Sequence, residues 1–239
     1  MDSGQIVLWD GSSQSGRTVA ELGMPITRFI CSADGSTVAT LAGDRVVRVH
    51  DVQSGRQRLE FPATISKDPS DAMSQLNILK LSLSPTGQEV WMGVPPLPGM
   101  QIYDVNSGSS KMRTDLRLPE FHALDFSADG RLIAGPLQAT ELAIADTATS
   151  EIVSRMRLPA ESKASAFSPD ARTLATINQL GRVQLWNVAT GQELLSLGVI
   201  PGDALFIKFS ADGRRLAAIV KATGGATAEL YVWSTDSMF

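Results

Sequence analysis

His50, His122 and Cys31 are all the imidazole and thiol that the chain possesses. A metal site built from three imidazoles, or from a mixture of His and Cys ligands, has almost nothing to draw on. One cysteine cannot supply a disulfide either. The Gly-x-Ser-x-Gly nucleophile turn, the two glycine-rich phosphate loops and the His-Glu-x-x-His zinc helix do not occur in the sequence. What remains for chemistry is charge. Arg28, Lys80, Asp125 and Lys208 stand at neighbouring positions in similar short segments. Three of the four are basic and no second carboxylate is paired with Asp125, so acid/base catalysis is poorly served. The three cations could hold an anion such as phosphate or a sugar acid.

The elements that must position these residues are bounded first by composition. The chain has 239 residues, 43% hydrophobic and 19% charged, with 21 Lys+Arg against 25 Asp+Glu and a net charge of −4. A chain of this size buries enough surface to fold without a staple. Interspersed acids in slight excess argue against a nucleic-acid partner, which would call for clustered Lys and Arg. The N-terminal MDSGQIVLWDG has neither the basic flank nor the apolar stretch of a signal peptide. No apolar run approaches the roughly 18 residues of a membrane span. With one cysteine and no Asn-x-Ser/Thr acceptor, a cytoplasmic location is expected, with no membrane partner, no metal and no cofactor.

Internal repeats organise the whole chain. ICSADG, LSPTG, FSADG, FSPDA and FSADG recur as one turn signal, and Asp34, Thr86, Asp129, Asp170 and Asp212 within it are spaced by 52, 43, 41 and 42 residues. A second signal closes each unit: VLWDGSSQSG, VHDVQSG, IYDVNSG, IADTATS, LWNVATG and VWSTDS. Short runs rich in Val, Ile, Leu, Thr and Phe lie between them, which reads as strands. Each unit is expected to hold four antiparallel strands, a to d, joined by Asp, Pro and Gly turns. Unit four would run 163 to 168, 172 to 178, 182 to 188 and 193 to 199.

The LWD, LWN, FSADG and FSPD elements make the chain resemble the WD-repeat β-propellers over essentially its whole length. The resemblance implies an all-β fold of four-stranded antiparallel blades, about five to six of them, in one domain. A partial blade would occupy 1–25, full blades 26–62, 76–119, 120–160 and 161–200, and a last blade lacking its outer strand 201–239. It also implies a ring of seven blades, of which this chain would be the C-terminal part, short of roughly one and a half units of ~40 residues. Gly-His is absent from the sequence, so the Asp-His-Ser/Thr-Trp hydrogen-bond network of the family is not expected in any blade. Apolar packing between sheets should hold the blades together instead. Unit three is equally similar to the repeat of lactonase-like and dehydrogenase-like propellers.

Aligning the units gives each residue a column. Cys31 shares one with Leu83, Phe126, Phe167 and Phe209 and is expected to be buried. His50 stands with Trp9, Tyr103, Ala145, Trp186 and Trp233 in a packing position. His122 opens a strand without an acidic or thiol partner spaced to it. Ala39, Ala134, Ala175 and Ala217 form a small-residue column where sheets approach closely, with Trp91 as its exception.

Alternation places all d-to-a and b-to-c connections on one face. The largest departures from the repeat fall there: 62 to 75, 94 to 100 and 221 to 228. Met73, Leu97 and Met100, framed by Lys67, Asp68, Asp71 and Lys221, are candidate partner-binding residues on adaptable loops. The triple-proline loop could equally be a stiff connection. The leading functional expectation is a non-catalytic protein–protein interaction scaffold. A propeller enzyme, an anion binder using Arg28, Lys80, Asp125 and Lys208, and a docking or sensory extension of a larger multidomain protein are the alternatives. An odd strand count leaves an edge unpaired, and self-association through such edges is expected.

Overall fold

The computed structural model describes residues 4–10, 12–63, 80–93, 100–113, 125–222 and 227–234. The chain divides into two compact units, Met1–Arg113 and Thr114–Phe239. Their described residues form 21 strands and no helix.

In the first unit β1 (Gln5–Asp10) and β2 (Ser15–Glu21) form a two-stranded sheet. Next come β3 (Ile26–Cys31), β4 (Thr37–Ala42), β5 (Val46–Asp51) and β6 (Gln57–Pro62), then β7 (Lys80–Leu83), β8 (Glu89–Gly93), β9 (Met100–Asp104) and β10 (Ser110–Arg113). Each group of four is one antiparallel sheet in chain order.

The second unit repeats the plan. Its sheets are β11 (Asp125–Phe126), β12 (Leu132–Gln138), β13 (Glu141–Asp146) and β14 (Ile152–Arg157), then β15 (Ser162–Phe167), β16 (Thr173–Asn178), β17 (Arg182–Asn187) and β18 (Glu193–Val199). The last, β19 (Asp203–Phe209), β20 (Arg215–Lys221) and β21 (Ala228–Ser234), has three strands among the described residues. This is the all-β, four-stranded blade architecture that the repeats predict, with unit-four boundaries within about one residue of expectation.

Strand alternation decides which residues meet between sheets. In the β15–β18 sheet, Ala166, Ala175, Leu185 and Leu195 share one row, and Phe167, Leu174 and Trp186 share a row on the opposite face. Ala134, Leu142, Ile144 and Met156 of the preceding sheet pack with Phe167, Leu174 and Trp186. Ala175, Ile177 and Val183 pack with Ile207, Leu216 and Val220 of the following one. In the first unit Ala39, Val47, Val49 and Phe61 pack with Leu83, Val90, Met92 and Val105. The Phe61 and Tyr103 rings stack with centroids 3.7 Å apart. Each fully buried aliphatic contributes about 1.5–3 kcal/mol. Ala39, Ala134 and Ala175 are wholly inaccessible, as close approach requires.

One limb of the hydrogen-bond network named by the resemblance is present, a tryptophan–threonine contact. The buried Trp186 Nε1 donates to Thr176 Oγ1 at 2.9 Å. The sequence has no Gly-His, yet the Trp–Thr contact needs only that strands b and c pair with these residues on one face.

Candidate functional site

One recurrent polar structure is a turn clamp between strands a and b. Ser127, Ser168 and Ser210 each donate a hydroxyl hydrogen bond to the aspartate two residues on, Asp129, Asp170 and Asp212, at 2.6 Å. Each hydroxyl also accepts the N–H five residues on, from Leu132, Thr173 and Arg215, at 2.9 to 3.0 Å. The same carboxylates accept the N–H of Arg131, Arg172 and Arg214 at 3.0 to 3.1 Å. The serine hydroxyl chiefly, helped by the backbone N–H, holds all three carboxyls below the usual carboxylate range.

A second clamp closes each c-to-d turn. Asp51 accepts from Ser54 N at 2.7 Å, Asp104 from Ser107 N at 2.7 Å, Asp146 from Thr149 N at 2.9 Å and Asn187 from Thr190 N at 3.0 Å. Asp10 accepts hydroxyl bonds from Ser12 and Ser13, which lower its pKa to about 2. The recurrent acids of the sequence are therefore bound up in turns, with their proton affinity suppressed by donors.

Of the four charged candidates on the inner strands, the structure brings together Asp125 and Lys208. Lys208 Nζ lies 3.0 Å from Asp125 Oδ1, while Asp125 Oδ2 accepts the Phe167 N–H at 2.8 Å. One carboxylate thus ties β11, β15 and β19, the innermost strands of three consecutive sheets. The lysine that would serve an anion is already neutralised. Arg28 is exposed on β3 beside a register shift, and Lys80 begins β7.

Among the loop candidates, Lys67, Asp68, Asp71, Met73 and Leu97 lie outside the described residues. Lys221 is exposed at the end of β20. Met100 is a correction: it starts β9 and is wholly buried, because strand pairing with Gly93 begins there. It packs as core and offers no contact to a partner.

Cys31 is a second correction, since it is exposed at the end of β3. Its column is buried where inner strands flank it, as at Phe167 between β11 and β19. Among the described residues, the β1–β2 sheet that precedes it carries no inner strands. His50 is buried as expected, with Nδ1 lacking a hydrogen-bond partner. Burial, with the Arg48 charge adding to it, lowers its pKa and keeps the ring neutral. Arg48 itself is held by both Asp44 oxygens, at 2.6 and 3.1 Å. His122 lies outside the described residues. Sequence reasoning missed the Asp125–Lys208 tie, whose members are 83 residues apart and share only their inner-strand position.

No family model matches the sequence, and no curated protein matches it. Solved structures do. The chain is similar to the β-propeller domain of Myceliophteria thermophila Cps50 (Swd1), at 16% identity and a TM-score of 0.70, covering 98% of this chain and 78% of that one. It is also similar to a chain of the mitotic checkpoint complex, at 16% identity and a TM-score of 0.61, covering 97% of this chain and 81% of that one. At this identity the likeness shows the fold, which is a β-propeller.

Proposed function

We propose that the chain is a non-catalytic scaffold that binds other proteins through the loops on the d-to-a and b-to-c face. The observation that carries this reading is how the recurrent polar groups are used. The repeated aspartates close turns, and the inner acid–base pair ties strands together, which makes a rigid support for loops rather than a reaction centre. The neighbours' settings agree with a protein partner, since one of them is described as part of a complex. The segment 62–75, with Lys67, Asp68, Asp71 and Met73, Leu97 in the proline loop and Lys221 form the proposed contact set. A short turn grafted in place of 62–75 should abolish capture of the partner that the intact chain retains. Unchanged capture would remove those loops from the binding face.

The anion-binding reading has less support, because Asp125 already occupies Lys208. Phosphate or a sugar acid should give no thermal shift, and a saturable shift would restore it. A cytoplasmic setting belongs to the same proposal, supported by the single cysteine. No helix among the described residues is long and apolar enough to cross a membrane. A docking role within a larger multidomain protein is compatible with the scaffold reading and would change its context, not its mechanism.

A further inference from the structure

Alternation sorts the side chains of the β15–β18 sheet onto two faces. On the face toward β11–β14 the apolar row Phe167–Leu174–Trp186 is followed by a polar one, Ser165–Thr176–Gln184. Asn178, two residues beyond Thr176 on β16, shares that face. Both sheets lie within the second unit, each with four strands. The corresponding positions of other sheets are apolar. Phe29, Leu81 and Ile207 stand in the column of Ser165, and Ala42 and Val220 in that of Asn178.

Gln184 is 1% exposed and Asn178 2%. Three polar atoms of the strip, Ser165 Oγ, Asn178 Nδ2 and Gln184 Oε1, are buried without a hydrogen-bond partner among the described residues. The Thr176 hydroxyl already accepts from the Trp186 indole at 2.9 Å. The Asn178 amide is not free to turn in search of a partner. Its Oδ1 accepts the N–H groups of Leu180 and Arg182 at 3.0 and 3.1 Å, which fixes Nδ2 on the other side. The sheet opposite offers Leu142 and Met156, which are wholly buried hydrocarbon and thioether. A polar atom left dry in such surroundings is costly, and three on one face of one sheet call for a common partner.

The three groups are complementary to one kind of molecule. Nδ2 is a donor, Oε1 an acceptor and the hydroxyl both. Water has two hydrogens and two lone pairs, and internal waters make about three hydrogen bonds to otherwise unsatisfied groups. An ion held by these neutral groups would be buried without a counter-charge. The register gathers them, since Asn178 is the diagonal neighbour of both Ser165 and Gln184 across adjacent strands.

We propose that the interface between the β11–β14 and β15–β18 sheets holds an ordered internal water on Ser165, Asn178 and Gln184. The water accepts from Asn178 Nδ2 and donates to Gln184 Oε1 and Ser165 Oγ. Asn178 also closes the turn between β16 and β17, on the face that carries the d-to-a and b-to-c loops, so the water steadies that turn from within. This goes beyond the scaffold reading and does not rest on it.

The test uses the full isotope-labelled chain. In water-selective NMR spectra the Asn178 side-chain amide should show a cross-peak to water of the sign that long residence gives. The peak should persist in Ser165→Ala, which removes the hydroxyl through which proton exchange would relay it. The same variant should lower the urea midpoint, because the water loses a partner. A dry hydroxyl predicts the reverse, since its removal relieves an unpaired polar group. Ser165→Ala removes a single oxygen atom, and circular dichroism checks its fold. Should it fail to fold, Gln184→Met, which deletes an acceptor and keeps the shape, should weaken the cross-peak. A wild type without the cross-peak overturns the proposal, as does its loss in Ser165→Ala, a midpoint unchanged or raised, or a peak undiminished in Gln184→Met. No partner protein is present, so failure here leaves the loop-replacement test of the scaffold unaffected.

Discussion

A single buried hydrogen bond shows how a residue's worth depends on what surrounds it. Thr176 and Trp186 are both almost fully inaccessible, and the indole N–H reaches the threonine hydroxyl and no other acceptor. Thr176→Val keeps the shape and leaves that N–H buried without a partner. It should cost about 1–3 kcal/mol in urea unfolding. An unaltered midpoint would mean that the indole finds another acceptor. The turn aspartates make a second residue-scale prediction. Asp129 and Asp170 have folded pKa values below the usual carboxylate range, so the unfolded chain binds protons first as pH falls. Their stabilisation is complete above about pH 4 and is lost progressively below it. Thermal unfolding from pH 7 to pH 2.5 should show this, with Asp170→Asn flattening the acid limb. The sequence disclosed the column of His50 correctly because a position at strand end beside Trp186 and Trp233 implies packing. It misjudged Cys31 because burial there depends on a neighbouring inner strand, which no column of the repeat records. Met100 was misread for a local reason: proline-rich loops look as if they end at the glycine before it or the residue after, and pairing with Gly93 decides.

At the scale of elements, turns do more than connect strands. The c-to-d turn of the β15–β18 sheet ends in Gly191, whose φ is +69°. A Cβ there would collide with the Arg155 carbonyl oxygen on β14, so the glycine serves both a left-handed backbone and sheet-to-sheet contact. Gly35 has nearly the same φ, +70°, but a Cβ there meets nothing within 4 Å. Backbone strain alone at such positions costs about 1 kcal/mol. Gly191→Ala should therefore lower the unfolding midpoint clearly more than Gly35→Ala, and equal losses would mean that β14 yields easily. The strands and turns were legible because each clamp carries its own residues: Ser, Asp and Gly at fixed offsets, then a β-branched run. The Asp125–Lys208 tie was not legible in the same way. It joins three sheets through side chains from separate repeats, and only stacking brings them together.

Across the whole molecule, stacked repeats derive stability from the interfaces on both sides of each unit. Ile177 and Ile219 occupy the same column, two residues after Ala175 and Ala217. Ile177 is fully buried between its sheet and the next, whereas Ile219 is half-buried. Identical chemistry at identical register therefore differs in burial. Ile177→Ala should cost about 2–5 kcal/mol in urea unfolding, as truncation in a closed core does. Ile219→Ala should cost well under half of that, and equal penalties would show that Ile219 is packed as closely as Ile177.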